Sequence, residues 1–188
     1  MNLWLRLLWL IVTFRFRPKL TPPLDVSNLA FRVWPHDLDL SAHMNNGRYW
    51  TLMDLGRTDM ILRSGLWRAV LAHRWTPVVS AGEIRFRREL RPFARFRLRT
   101  AIASWTETHL VIEHRFLGEG DAVAAIALVR AALYDRAARR FVPIRELMAE
   151  VGVVAESPPP APEVQAFLAA EDALRAVTAE ARDSQPSA

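Results

Sequence analysis

Residues 37–50 read DLDLSAHMNNGRYW, the densest polar stretch of the chain. Two carboxylates, a serine, a histidine and two asparagines fall between Asp37 and Asn46. Each has an ordinary use. Asn45 or Asn46 can cap a helix, Asp37 and Asp39 can hold a turn, and His43 can be hydrogen-bonded at a domain edge. Each also has a chemical use. A helix N-terminus offers unpaired N–H groups and the positive end of a dipole, the setting in which an oxyanion is stabilised. A carboxylate held just before that terminus serves as nucleophile or activates water. An acid, a histidine and a helix start therefore supply the parts for acyl transfer or ester hydrolysis. They do not select the acyl group.

The elements that must position these residues are legible in the periodicity. From Asn46, Tyr49, Leu52, Met53, Gly56 and Met60 recur at spacings of three and four, a buried helical stripe. Asp54, Arg57 and Thr58 lie away from much of it, and Gly65 ends the helix. LWRAVLAH adds a further turn or two. Before the polar stretch, LAFRVW has strand composition until Pro35 breaks it. After the helix the period becomes two. Ile84 and Phe86 alternate with Glu83, Arg85 and Arg87, and Phe96, Leu98 and Ile102 with Arg95, Arg97 and Arg99. HLVIEHRFLGEG and DAVAAIALVRAALYD continue as strands around a glycine-containing turn. One long helix followed by four strands predicts an α+β fold with an antiparallel sheet against the helix. PIRELMAEVG is helix-like, and ESPPPAPE is a stiff linker. Residues 163–182 form an alanine-rich helix, and DSQPSA should fray.

Residues 1–20, MNLWLRLLWLIVTFRFRPKL, resemble a membrane span but hold only about a dozen apolar residues where roughly 20 are needed. Positive charges follow the apolar run, the reverse of a signal peptide. Two readings stand open. An amphipathic helix lies in the bilayer interface with Trp4 and Trp9 at headgroup depth, or the segment packs as an ordinary core helix. Either way it reads as dispensable for chemistry. The expected location is cytoplasmic or peripheral to the inner membrane.

Composition removes several functions. The chain has no cysteine, so thiol catalysis, zinc thiolate sites and disulfides are excluded. No metal or cofactor is implied, and no phosphate-cradling glycine loop occurs. Net charge is +5, carried almost wholly by arginine, with Lys19 the only lysine. Arginine suits phosphates, but no aromatic platform or recognition motif points to nucleic acid. Alternating arginines also describe a solvated sheet face.

The string DLDLSAHMNNGRYW, the helix after it and SAGEIRFRRELRPFARFRLRT resemble the hotdog-fold thioesterases over roughly residues 28–150. These include the 4-hydroxybenzoyl-CoA thioesterase group, the plant acyl-carrier thioesterases and the thioesterase superfamily member six proteins. The pattern D-x-x-x-H-x-N-N-x-x-Y falls on Asp39, His43, Asn45, Asn46 and Tyr49. The resemblance implies a helix wrapped by an antiparallel sheet, joined edge to edge in dimers or tetramers with sites at the subunit interface. It also implies an acyl-CoA or acyl-carrier-protein substrate. It puts the family's acid on Asp39 and a carbonyl-polarising N–H near Asn46 or Gly47. Ser41 stands where plant enzymes have asparagine, and a second acid on the helix matches Asp54. Catalytic roles thus fall on Asp39, His43, Asn46 and Asp54, and substrate contacts on Ser41, Asn45, Gly47, Tyr49, Arg85 and Arg87. Residues 156–188 form a proline-rich linker and tail. The alternative is a non-catalytic module that binds acyl chains or acyl-carrier protein at a membrane surface.

Overall fold

Period-two alternation in the strands forces one face of each inward, and a single long helix fills that face. A computed structural model describes residues 2–183. Along the chain come α1 (Asn2–Thr13), β1 (Ser27–Arg32), α2 (Asn46–Ser64), α3 (Trp67–Ala72) and β2 (Trp75–Phe86). β3 (Arg95–Trp105), β4 (Leu110–Leu117), β5 (Val123–Asp135) and β6 (Arg140–Phe141) follow, then α4 (Ile144–Glu150) and α5 (Pro162–Asp183). The strands form one antiparallel sheet in the order β1-β3-β4-β5-β2, with β6 beside β5. This is the α+β hotdog arrangement, an antiparallel sheet curled around α2.

The predicted stripe is the buried face of α2: Tyr49, Leu52, Met53, Gly56 and Met60 are all buried. With Leu98, Phe116, Ala127 and Val129 from the sheet, the first half of α2 builds the main core. Gly56 permits the close approach, since a Cβ there would stand 2.3 Å from the hydroxyl oxygen of Thr100. Gly65 ends α2 in the left-handed region (φ 85°), as glycine readily does.

The sheet has more strands than the four expected. β1 precedes the helix and pairs with β3. β2 begins at Trp75, well before Gly82, and contains Pro77. An edge strand tolerates proline because its outer N–H groups need no partner, and β2 pairs only with β5. Its opposite edge is open.

Both open readings of the N-terminal segment have a counterpart in α1. Leu3, Leu7 and Leu10 pack against the core, while Trp4 and Trp9 are 72% and 71% exposed. Arg6 and Arg17 turn inward. Arg6 Nη2 lies 2.6 Å from Asp37 Oδ2, and Arg17 Nη1 lies 2.7 Å from Asp59 Oδ1. Asp59 is fully buried and also accepts from Ser27 Oγ (2.6 Å) and Arg63 Nη1 (3.0 Å). The segment is therefore braced to α2 and to the polar stretch. No described helix is long and apolar enough to cross a membrane.

At the other end, Val164 and Phe167 of α5 pack on Val111 and Leu128. These alternate with Ile112, Ala127 and Val129, so α5 lies on the sheet face opposite α2. The expected fraying of the last residues falls mostly on 184–188, outside the described residues.

Candidate functional site

The polar stretch folds into a tight loop against the start of α2. A short 3-10 turn at Pro35–Asp37 leads in, and Leu38 bridges to Met44. Between them, Asp39 N–H donates to His43 C=O (3.0 Å) and Ala42 N–H to Asp39 C=O (3.1 Å). Asp39 Oδ1 accepts Ser41 N–H (2.9 Å), while His43 Nδ1 lies 3.3 Å from Oδ2 and 3.5 Å from Met44 C=O. Its side chain is 25% accessible and that of His43 31%. The carboxylate is thus aimed and still reachable.

Asp37 has the opposite environment. It is buried, paired with Arg6, and accepts Trp34 N–H (3.0 Å). Its carbonyl accepts Asn45 N–H (2.8 Å), which ties the loop's entrance to its exit. Asp37 builds the loop and Asp39 faces out of it.

Asn45 is the cap, its side chain accepting Gly47 N–H at 2.8 Å. Arg48 N–H reaches Asn45 C=O (2.9 Å). Among the described residues, Asn46 N–H meets no acceptor, so of these three first-turn amides it alone remains available to a ligand oxygen. Ser41, Asn45, Asn46 and Gly47 are all exposed around it.

Tyr49 is not at this surface. It is 2% exposed and stacks edge-on with Phe86 (5.0 Å) and Phe116 (4.7 Å), and burial pushes its hydroxyl up to about 12. Its ring locks the first turn of α2 over the end of β2. Trp50 lies over Gly82 of the same strand, where a Cβ would meet its ring at 2.7 Å. Arg85 and Arg87 are exposed at that end of β2. Arg97 and Arg99 instead pair with Asp121 (2.5 Å) and Glu113 (3.1 Å).

Asp54 stands apart from Asp39. Eight residues into the helix from Asn46, it lies about 12 Å along the axis. It is exposed and ion-paired with Arg57. Both line an apolar cavity of about 380 Å³ under the second half of α2, walled by Met60, Val79, Ile112, Leu133 and Met148 among others. Asp39 does not line it. Met53 belongs to the solid core, and of the methionines of α2 only Met60 reaches the cavity.

Behind Arg57 is a group that the sequence reading passed over. Arg57 Nη1 lies 3.3 Å from His114 Nε2, and His114 Nδ1 lies 3.0 Å from Thr100 Oγ1. A guanidinium only donates, so Nε2 accepts and Nδ1 carries the proton. His114 is fully buried; that burial, with the Arg57 cation beside it, holds it well below its ordinary value. The signal was in the strand alternation, which puts His114 on the same face as Ile112 and Phe116.

Comparison with known proteins agrees with this fold. The family model described as the thioesterase-like superfamily matches residues 33–167. Protein THEM6 of Danio rerio is 38% identical over 127 residues, covering 67% of this chain and 63% of that protein. The chain therefore spans less than two thirds of that relative's length. Among solved structures, the hypothetical protein SAV2348 of Staphylococcus aureus, in complex with CoA, superposes with a TM-score of 0.61. It is 14% identical, and the match covers 68% of this chain and 81% of that one. Slr0204 of Synechocystis, a 1,4-dihydroxy-2-naphthoyl-CoA thioesterase, superposes at 0.59 with 10% identity, covering 68% and 95%.

Proposed function

The chain belongs to the thioesterase-like superfamily, and on that premise we propose that it hydrolyses the thioester of an acyl-CoA to the free acid and CoA. One observation carries the reading. An accessible carboxylate, Asp39, accepts Ser41 N–H in the loop that leads into a helix whose Asn46 N–H meets no acceptor among the described residues. We read these two groups as the base and the oxyanion donor. The complex of SAV2348 with CoA supports a CoA thioester as the substrate type.

In this reading Asp39 takes a proton from water as the water attacks the thioester carbon. His43, at 3.3 Å, keeps the carboxylate oriented. The carbonyl oxygen becomes an oxyanion against Asn46 N–H and the positive end of α2. Collapse breaks the C–S bond, and the proton on Asp39 passes to the departing CoA sulfur. Direct attack by Asp39 on the carbonyl carbon, through an anhydride, uses the same atoms. Ser41, Asn45 and Gly47 frame the mouth, and Arg85 and Arg87 offer cations for the CoA phosphates.

The cavity beside Asp54 suits the acyl group: it is apolar, and its volume lies at the small end of ligand pockets, about 300–1,000 Å³. It is separate from Asp39 within one chain. A two-fold copy paired along the open edge of β2 resolves this. In an antiparallel pair the Trp75–Val79 half of one β2 runs beside the Gly82–Phe86 half of the other. The second half carries the α2 start and its loop, while Val78 and Val79 of the first wall the cavity. One protomer then supplies the acid and its partner the pocket.

Hydrolysis of a panel of acyl-CoAs by wild type and Asp39→Asn tests the proposal. Turnover should fall by orders of magnitude in the variant. Full activity in Asp39→Asn would end the assignment. A non-catalytic acyl-binding module is the second reading, favoured by one observation: the Asp54 carboxylate is already engaged by Arg57. Acyl-CoA binding without hydrolysis by the wild type would select it.

A further inference from the structure

α1 is apolar around nearly its whole circumference, yet only one side of it is covered. Leu3, Leu7 and Leu10 face the core. Trp4, Leu5, Leu8, Trp9 and Val12 occupy the opposite arc and are all more than half exposed. Phe16, just beyond the helix, is 87% exposed. A helix hydrophobic on all sides belongs in an environment apolar on all sides, and such a patch on a folded protein marks a docking surface.

The charges identify what covers it. No acidic residue occurs before Asp25. Of the four cations in that stretch besides the amino terminus, Arg6 and Arg17 are turned inward to Asp37 and Asp59. Arg15 and Lys19 remain exposed next to the apolar arc. An apolar face with two tryptophans, in a segment whose exposed charges are cations, matches the headgroup layer of an anionic bilayer. A second copy of the same face would set cation against cation. Twelve residues make a helix about 18 Å long, too short for a hydrocarbon core of about 30 Å, so the helix lies in the plane.

The inward face adds a consequence. Arg6 holds Asp37, and the Asp37 carbonyl holds Asn45, so the helix is fastened to the loop that carries Asp39. We propose that the outward face of α1 docks on an anionic lipid bilayer and holds the Asp39 loop close to that surface, where acyl thioesters dissolved in the bilayer are taken up. The docking stands on the exposed face alone; the choice of substrate rests on the thioesterase reading.

The test uses the full chain, the double variant Trp4→Ser/Trp9→Ser and the single variant Leu8→Glu. Flotation with phosphatidylcholine vesicles, with and without phosphatidylglycerol, reads docking. Wild type should float with the anionic vesicles, and both variants should bind them at least about tenfold more weakly with unchanged circular dichroism. Equal binding by all three proteins, or none by the wild type, overturns docking. So does a fall in sedimentation mass in the variants, which would show that a second copy covers the face. Turnover reads the substrate. A long-chain acyl-CoA carried in the vesicles should be hydrolysed more slowly by the variants, and a short soluble acyl-CoA equally by all. Equal rates on the long chain despite lost binding overturn bilayer supply. Absence of hydrolysis of either substrate by any of the proteins defeats the thioesterase reading, while flotation still decides docking.

Discussion

Arg6 Nη2 and Asp37 Oδ2 meet at 2.6 Å across 31 positions of sequence, joining the first helix to the loop that carries the candidate acid. The pair is nearly dry, with side-chain accessibilities of 12% and 1%. Removing one member of such a pair strands the other, at a cost of about 3–5 kcal/mol. Asp37→Asn should therefore be unstable in urea, whereas Asp39→Asn should unfold like wild type and lose turnover. The reverse pattern would exchange the roles of the two carboxylates.

The same contact bears on residues 1–20, which read as dispensable in the sequence. A chain beginning at Leu24 would lose Arg6 from Asp37 and Arg17 from Asp59, leaving these buried acids only one arginine each, Arg48 (3.6 Å) and Arg63 (3.0 Å), and would lose the apolar cover from Leu10. Its urea midpoint should drop well below that of the full chain. An unchanged midpoint would mean that these contacts contribute nothing to the fold.

Stability should fall in mild acid because of His114. Its folded value lies well below the ordinary 6.5, so below about pH 6.5 the unfolded chain binds a proton that the folded chain refuses. Stability is complete above that pH and declines as pH drops through the window down to the folded value. The slope approaches about 1.4 kcal/mol per pH unit for one group. Burial shifts His109 in the same direction. Urea unfolding between pH 7 and 5 measures the slope, and His114→Gln should flatten it.

Gly56→Ala should be destabilising by about 1–3 kcal/mol, the usual cost of overpacking. The new methyl would stand 2.3 Å from Thr100 Oγ1 of β3. Thr100→Ala alone strands the buried His114 Nδ1–H, so thermal unfolding is compared across a double-mutant cycle: Gly56→Ala/Thr100→Ala should lose less than the sum of the two single variants.

If β2 edges pair two chains, activity and dimer should disappear together on dilution. The open edge of a strand as long as β2 is a hazard unless covered, and a two-fold axis covers both edges at once. Sedimentation at assay concentrations, alongside turnover, gives the answer. A stable, fully active monomer would remove the shared site.

The helix, the later strands and the position of Asp39 were legible because each follows from local period or a short motif. At Tyr49 two signals conflict: the helical period places it on the buried stripe, while its place in the motif suggests a substrate contact. The structure follows the period, because the turn of α2 that presents Asn46 and Gly47 outward rotates Tyr49 into Phe86 and Phe116. The beginning of β2 was hidden by Pro77, whose tolerance depends on the strand lying at an edge. The partners of Arg6 and Arg17 were out of reach for a different reason. A charge within an apolar run reads as an interruption until the fold supplies a buried carboxylate opposite it.

The position of α5 removes one sheet face from contact between copies. It lies along β4 and β5 on the face away from α2, with its Glu171 joined to the buried Arg130 as well as its apolar contacts. Two such molecules brought together with those faces in contact would collide through their C-terminal helices before their strands could touch. The sheet face beneath α5 is therefore closed to strand-on-strand stacking with a second copy.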